Sequence, residues 1–189
     1  MNSNRMLWLT LYLVWIASEV LIAIATRTKR GSGDIKDRGT MLFLWLTIAA
    51  SMTICGFTKH YLHDWYPFPR MLHHAATAIL LAGLVIRLVS VLSLGKAFSA
   101  NVAIRESQTL NQSGVYKYVR HPSYLGLVII FFAVGLHSGN PAGLLIAFAP
   151  PTAMLLYRIH VEEAALLTAF GSQYQIYMGK TKRLVPWVY

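Results

Sequence analysis

Residues 124–157 read YLGLVIIFFAVGLHSGNPAGLLIAFAPPTAMLLY: two apolar runs with Ser138, Gly139, Asn140 and Pro141 between them. A cluster of Ser, Gly, Asn and Pro marks a chain reversal. The spacing therefore predicts an antiparallel helical hairpin of residues 124–137 and 142–157. At 1.5 Å per residue such helices reach only about 21–24 Å, short of the roughly 30 Å hydrocarbon core of a bilayer. They either thin the bilayer locally or end beneath its surface.

Three more apolar runs precede the hairpin, at residues 6–25, 40–57 and 75–94. The chain of 189 residues is 56% hydrophobic and 13% charged, against about 45–50% and about 25% in soluble domains. An all-α integral membrane protein with five transmembrane helices follows. The first run is long enough to span, and no small-residue cleavage pattern follows it, so it is expected to remain as an anchor. Residues 1–94 then form a three-helix membrane region and residues 95–189 the region of the loop, the hairpin and the C-terminal helices, within one integrated domain.

The net charge of +10 suggests nucleic acid only in a soluble protein. Here the basic residues sit in loops beside spans, where topology and anionic headgroups account for them; no nucleic-acid partner is expected. With five spans, Arg27, Lys29, Arg30, Lys36, Arg38, Lys96, Arg105, Lys117, Arg120, Arg158, Lys180, Lys182 and Arg183 share one side, against Arg5, Lys59 and Arg70 on the other. That asymmetry places the N-terminus outside and the C-terminus in the cytoplasm. Two ionisable residues fall inside spans at matching depths, Glu19 and Arg87. They either pair across the first and third helices or snorkel separately to the interface.

The sole cysteine, Cys55, lies in an apolar run, so it forms no disulfide within the chain and reads as a small buried hydrophobe. His60, His63, Asp64, His73 and His74 cluster in one loop, but no flanking ligands complete a metal motif, and no metal is expected. Trp65, Tyr66, Phe68, Trp187 and Tyr189 read as interfacial aromatic belts. Glycine-rich nucleotide loops and nucleophile elbows are absent from the sequence.

Chemistry concentrates in two stretches that the hairpin returns to one face. One is RESQTLNQSGVYKYVRHPSY (105–124); the other is YRIHVEEAALLTAFGSQYQIYMGKTKRLVP (157–186). The second reads as a helix over 157–170 stopped by Gly171, with Arg158 and Glu162 four apart on one face. Together the stretches can wall a pocket at the membrane surface. An ordinary surface ion pair and a capped helix start are the plainer readings of the same residues.

Arg-His-Pro-x-Tyr (120–124), Glu162–Glu163 after the hairpin, and Tyr174-x-x-Tyr177 before Arg183-Leu-x-Pro resemble the isoprenylcysteine carboxyl methyltransferase family over residues 95–186. The resemblance implies an integral membrane enzyme that uses S-adenosyl-L-methionine to methylate the carboxylate of a C-terminal prenylated cysteine. Related enzymes methylate phospholipid amines or small thiols. Carried over residue by residue, it implies cofactor contacts from Gln108, Thr109, Leu110, Asn111, Tyr116, His121, Pro122, Ser123, Tyr124 and Glu162. It implies a substrate contact from Arg158. The side chains of QTLNQ (108–112) depart from the family, so contacts there would come from backbone.

The chemistry is consistent with that resemblance. Glu162 suits the cofactor's ammonium, His121 its carboxylate, and Tyr116 and Tyr124 its adenosine or sulfonium. A carboxylate acceptor is already ionised at neutral pH and needs no base; Arg158 suits it by bidentate pairing. A thiol or amine would need one, from His121 or Glu163. The lipophilic acceptor would enter from the bilayer and the cofactor from the cytoplasm. A nicotinamide-dependent membrane reductase, a non-catalytic scaffold and a small transporter are the alternatives from other classes. The first would need more helices and the last repeat symmetry.

Overall fold

The computed structural model describes residues 3–26, 34–35, 39–62, 67–95, 103–104 and 110–186. Its main elements are the helices α1 (Ser3–Thr26), α2 (Thr40–Tyr61), α3 (Arg70–Leu94), α4 (Pro122–His137), α5 (Pro141–Phe170) and α6 (Ser172–Lys180). One 3-10 turn, Gly114–Lys117, precedes α4. Two-residue strands β1 (Asp34–Ile35) and β2 (Ala103–Ile104) pair antiparallel, Asp34 opposite Ile104. This small departure from an all-helical chain has a topological consequence. It ties the loop after α1 to the loop after α3 at one end of the bundle.

Among the described residues, four helices are long and apolar enough to cross a membrane: α1, α2 over Thr40–Thr58, α3 and α5. With 16 residues α4 is shorter, about 24 Å by helical rise. Its ends explain why. Ser123 in its first turn meets Arg87, seven residues inside the end of α3, while His137 at its last turn meets His73 near the start of α3. The polar segment before α4 is therefore recessed into the bundle.

The expected segments 142–157 and 157–170 are one uninterrupted helix, α5. Asn140 caps its start by accepting from the Gly143 N–H at 2.8 Å, and Pro141 occupies the first turn. Gly171 stops it with φ 51°, a left-handed region that favours glycine. Within the chain Pro150 and Pro151 remove two backbone donors without ending the helix, which tertiary neighbours tolerate in membrane helices.

The core lies where α3, α4 and α5 meet, around the fully buried Leu80, Ile130, Phe131 and Leu155. Helices α3 and α4 approach closely at Gly83 and Gly126. A Cβ at Gly126 would stand 2.8 Å from the Arg87 backbone nitrogen, a contact only glycine avoids. Large apolar side chains face outward, Leu13, Leu21, Ile24, Leu92 and Leu145 among them, as lipid contact requires.

Candidate active site

Helix α1 leans on α3, and α2 packs on α5, while α1 and α2 barely touch each other. The gap is a cleft of about 560 Å³, its open mouth included. Trp15 and Ile22 of α1 and Leu44, Trp45 and Ile48 of α2 make apolar side walls. The back wall carries polar groups: Arg87 from α3, Tyr124 from α4 and Arg158 from α5. Arg158 is 2% exposed; its Nε donates to the Tyr124 hydroxyl at 3.1 Å and its Nη1 to Thr40 Oγ1 at 2.8 Å.

Tyr124 also belongs to a second cluster. Its ring stacks on that of His121, centroids 5.7 Å apart. His121 lies between two carboxylates, with Nε2 3.4 Å from Glu163 Oε1 and Nδ1 3.9 Å from Glu162 Oε2. The adjacent glutamates play different parts because they point differently from α5. Glu163 is buried and accepts from Arg120 Nε and Arg183 Nε, both at 2.8 Å. Arg120 also donates to the Thr181 carbonyl and, at 3.1 Å, to that of Met178. The Arg120 and His121 amides donate to the Lys182 and Arg183 carbonyls at 2.8 and 3.0 Å. This knot straps the chain after α6 to the segment entering α4.

The strap presses α6 against the 3-10 turn. Tyr177 donates to the Tyr116 carbonyl at 2.6 Å, and Tyr116 donates to the Ser90 carbonyl at 3.1 Å. Burial raises the pKa of Tyr116, of Tyr174 and of Tyr177, and pushes Tyr177 up to about 12. For Tyr174 the charges of Glu163 and Glu162 add to the burial, and for Tyr116 that of Glu162 does. Two buried polar atoms in this cluster, Glu162 Oε2 and the Tyr174 hydroxyl, have no hydrogen-bond partner among the described residues. A buried carboxylate oxygen without a donor requires an explanation. Glu162 interacts electrostatically with Tyr116, Tyr124 and Tyr174. A carboxylate among aromatic faces fits a cationic group such as an ammonium or a sulfonium.

Of the residues singled out from sequence, Tyr116, His121, Tyr124, Arg158 and Glu162 come together here. Pro122 is buried at the first turn of α4. Ser123 is turned to the bundle, where its Oγ accepts from Arg87 Nη1 at 2.8 Å. Asn111 shapes the approach to the 3-10 turn, its side-chain oxygen accepting from the Ser113 amide at 3.0 Å and the Ser113 hydroxyl at 2.8 Å. Leu110 is half-buried at the start of that approach. Gln108 and Thr109 lie outside the described residues, as do His63 and Asp64 of the histidine cluster. His60 is exposed and packs edge-on against Tyr61.

Sequence reasoning gave Thr40 and Tyr174 no place in the site and did not set Glu163 between two arginines. Nothing local signals them, since the Arg120–Glu163 contact spans 43 residues and the Arg158–Thr40 contact 118. Glu19 and Arg87 do pair: Nε to Oε1 and Nη2 to Oε2, both at 2.9 Å and buried.

Comparison with known proteins adds three findings. Residues 76–168 match the isoprenylcysteine carboxyl methyltransferase (ICMT) family. Among curated proteins, methanethiol S-methyltransferase 1 of Bradyrhizobium diazoefficiens is 37% identical over 39% of this chain and 25% of its own length. Protein-S-isoprenylcysteine O-methyltransferase of Schizosaccharomyces pombe is 32% identical over 59% of this chain and 48% of its own length. The chain thus spans between a quarter and half of these relatives. A solved structure of the eukaryotic intramembrane Ras methyltransferase, isoprenylcysteine carboxyl methyltransferase, shares the fold with TM-score 0.63 and 23% identity, over 76% of this chain and 52% of that one.

Proposed function

The chain belongs to the isoprenylcysteine carboxyl methyltransferase family, and from that premise we propose that it is an S-adenosyl-L-methionine-dependent methyltransferase acting on the carboxylate of a lipophilic acid, an isoprenylated cysteine or a close analogue. It is an integral, multi-pass membrane protein. In this reading α4 is the fifth membrane helix, the N-terminus is outside and the site opens to the cytoplasm. Membrane lipids surround it and the acceptor arrives from the bilayer through the gap between α1 and α2.

One observation supports this reading above the others: Tyr124 is shared by two unlike sites. On one side it receives the Arg158 hydrogen bond at the back of an apolar, laterally placed cleft. On the other it stacks on His121 beside Glu162. Bringing two reactants to either side of one rigid residue is the main contribution such a site makes to a displacement. S-adenosyl-L-methionine, when bound, supplies a methyl group activated by a sulfonium. Glu162 holds its ammonium, and His121, Tyr116, Pro122 and Tyr124, with the backbone of Ser123 and of residues 108–111, line the rest of its site. Arg158 is the catalytic residue of the acceptor side, fixing the carboxylate by charge-assisted hydrogen bonds.

The methanethiol relative motivates a second reading, a small thiol acceptor. A thiol needs a base; Glu163 is engaged by two arginines, which leaves His121 for that part. The apolar side walls of the cleft, Trp15, Ile22, Leu44, Trp45 and Ile48, suit a lipophilic chain more than a small thiol.

The test is methyl transfer from radiolabelled cofactor by the full chain in nanodiscs, with S-farnesyl-N-acetylcysteine, its amide and methanethiol as acceptors. Base-labile label in the acid alone supports the proposal, with Arg158→Gln lowering kcat/KM by about 10²–10³. Label in methanethiol alone refutes it.

A further inference from the structure

The strap that ties α6 to the segment entering α4 also gathers cations. A parallel bridge between Val119 and Lys182 lays the chain after the 3-10 turn beside the chain after α6. Lys117 on one strand and Lys180 and Lys182 on the other are all exposed. Among the described residues none of the three has an ion pair. Glu163 is engaged by Arg120 and Arg183, and Glu162 lies against His121. Like charges gathered in this way repel one another. The closed strap brings together cations that an open strap would separate.

Apolar side chains sit among these lysines. Tyr118, Ile176 and Val185 are exposed, and Ile176 shares a face of α6 with Lys180, four residues on. The depth of the strap accounts for the mixture. Helix α3 has 25 residues, about 37 Å by helical rise, against a hydrocarbon core of roughly 30 Å. Its last turn therefore enters the headgroup layer. The Asn111 side-chain amide donates to the Ser93 carbonyl at 3.2 Å, and the Tyr116 hydroxyl donates to that of Ser90. Tyr177 in turn fastens α6 to Tyr116. The strap thus lies level with the end of α3. A surface of lysines, one aromatic ring and aliphatic side chains at that level meets headgroups and acyl carbons at once.

We propose that the face of the strap carrying Lys117, Lys180 and Lys182 binds anionic phospholipid headgroups, and that this binding stabilises the closed strap. A zwitterionic headgroup brings its own cation and relieves little of the repulsion; a headgroup of net negative charge relieves it. The closed strap presents the higher charge density, so anionic lipid favours it over the open form. The inference stands on the geometry of the strap and is independent of which acceptor the protein methylates.

The test is hydrogen exchange of peptides covering residues 118–122, in the full chain at low salt. Nanodiscs of phosphatidylcholine alone are compared with nanodiscs that also contain phosphatidylserine. Protection should rise on the order of tenfold with the anionic lipid, the size expected of a few lysines at a charged surface. The rise should vanish in the triple variant Lys117→Gln, Lys180→Gln and Lys182→Gln. It should persist in Lys117→Arg, Lys180→Arg and Lys182→Arg, which keeps the charge. All three side chains are exposed, so both variants retain the fold.

Equal protection of the wild type in the two nanodiscs overturns the proposal. So does a rise that the glutamine variant keeps or the arginine variant loses. A rise that inorganic phosphate reproduces in phosphatidylcholine alone also overturns it, because the site would then take a free anion rather than the bilayer surface.

Discussion

Glu163→Gln tests the knot that assembles the site. Glu163 accepts from Arg120 and Arg183, and its side chain is 4% exposed. Arg183 is a third exposed and is screened by water, so its loss counts for little. Arg120 is 8% exposed and stays buried when its counter-charge is removed. Breaking a buried pair from one side costs about 3–5 kcal/mol. Here the lower end applies, because Arg120 keeps the Met178 and Thr181 carbonyls and Gln retains one acceptor. About 3 kcal/mol is roughly a hundredfold in the equilibrium for opening the strap. The Arg120 and His121 amides report that opening directly, since they donate to the Lys182 and Arg183 carbonyls. Hydrogen exchange of peptides covering residues 118–122 in nanodiscs should lose about two decades of protection, while peptides from α3 keep theirs. Protection within about threefold of wild type would refute the reasoning, and the contacts of Glu163 would then be incidental to the assembly of the site.

Further outcomes follow from the same geometry. Glu162→Gln should weaken S-adenosylhomocysteine at least tenfold by calorimetry, since it removes the charge opposite the ligand's ammonium, without changing the exchange protection of residues 118–122. Gly126→Ala places a Cβ 2.8 Å from the Arg87 backbone; overpacking of this kind costs about 1–3 kcal/mol, read as a lowered melting temperature in detergent. The raised pKa values of Tyr116, Tyr174 and Tyr177 mean that folding favours the protonated phenols. Their contribution is complete below the unfolded value near 10 and is lost as pH rises through the folded values. Docking of α6, followed by exchange or by phenolate absorbance, should thus hold to about pH 10, weaken progressively above it and be lost as pH passes about 12.

The membrane helices were legible because hydropathy is a local property. Residues 124–137 were read as a helix and α4 spans Pro122–His137; the turn at 138–140 and the stop at Gly171 lie where Ser, Gly, Asn and Pro place them. The continuity of α5 was less legible. The change from apolar to polar at Tyr157 looks like the end of a span, but a helix ends only where its backbone finds other partners, and none comes before Gly171. Arg158, Glu162, His121 and Tyr124 stood out as candidates because charged and aromatic groups are conspicuous beside apolar runs.

Which glutamate does what was decided by the tertiary structure. Glu162 and Glu163 are neighbours in sequence, yet a helical step of about 100° aims Glu163 at Arg120 and Arg183 and leaves Glu162 facing the tyrosines. Likewise the sequence offered Glu19 and Arg87 at equal depth, with pairing and snorkelling both open; the close approach of α3 to α4 at Gly126 set the guanidinium between Glu19 and Ser123. Local physics writes where the chain is apolar, where it turns and which side chains carry charge. Partners 43, 68 or 118 residues apart are chosen by packing, because only the assembled bundle excludes water and makes each buried charge find its counterpart.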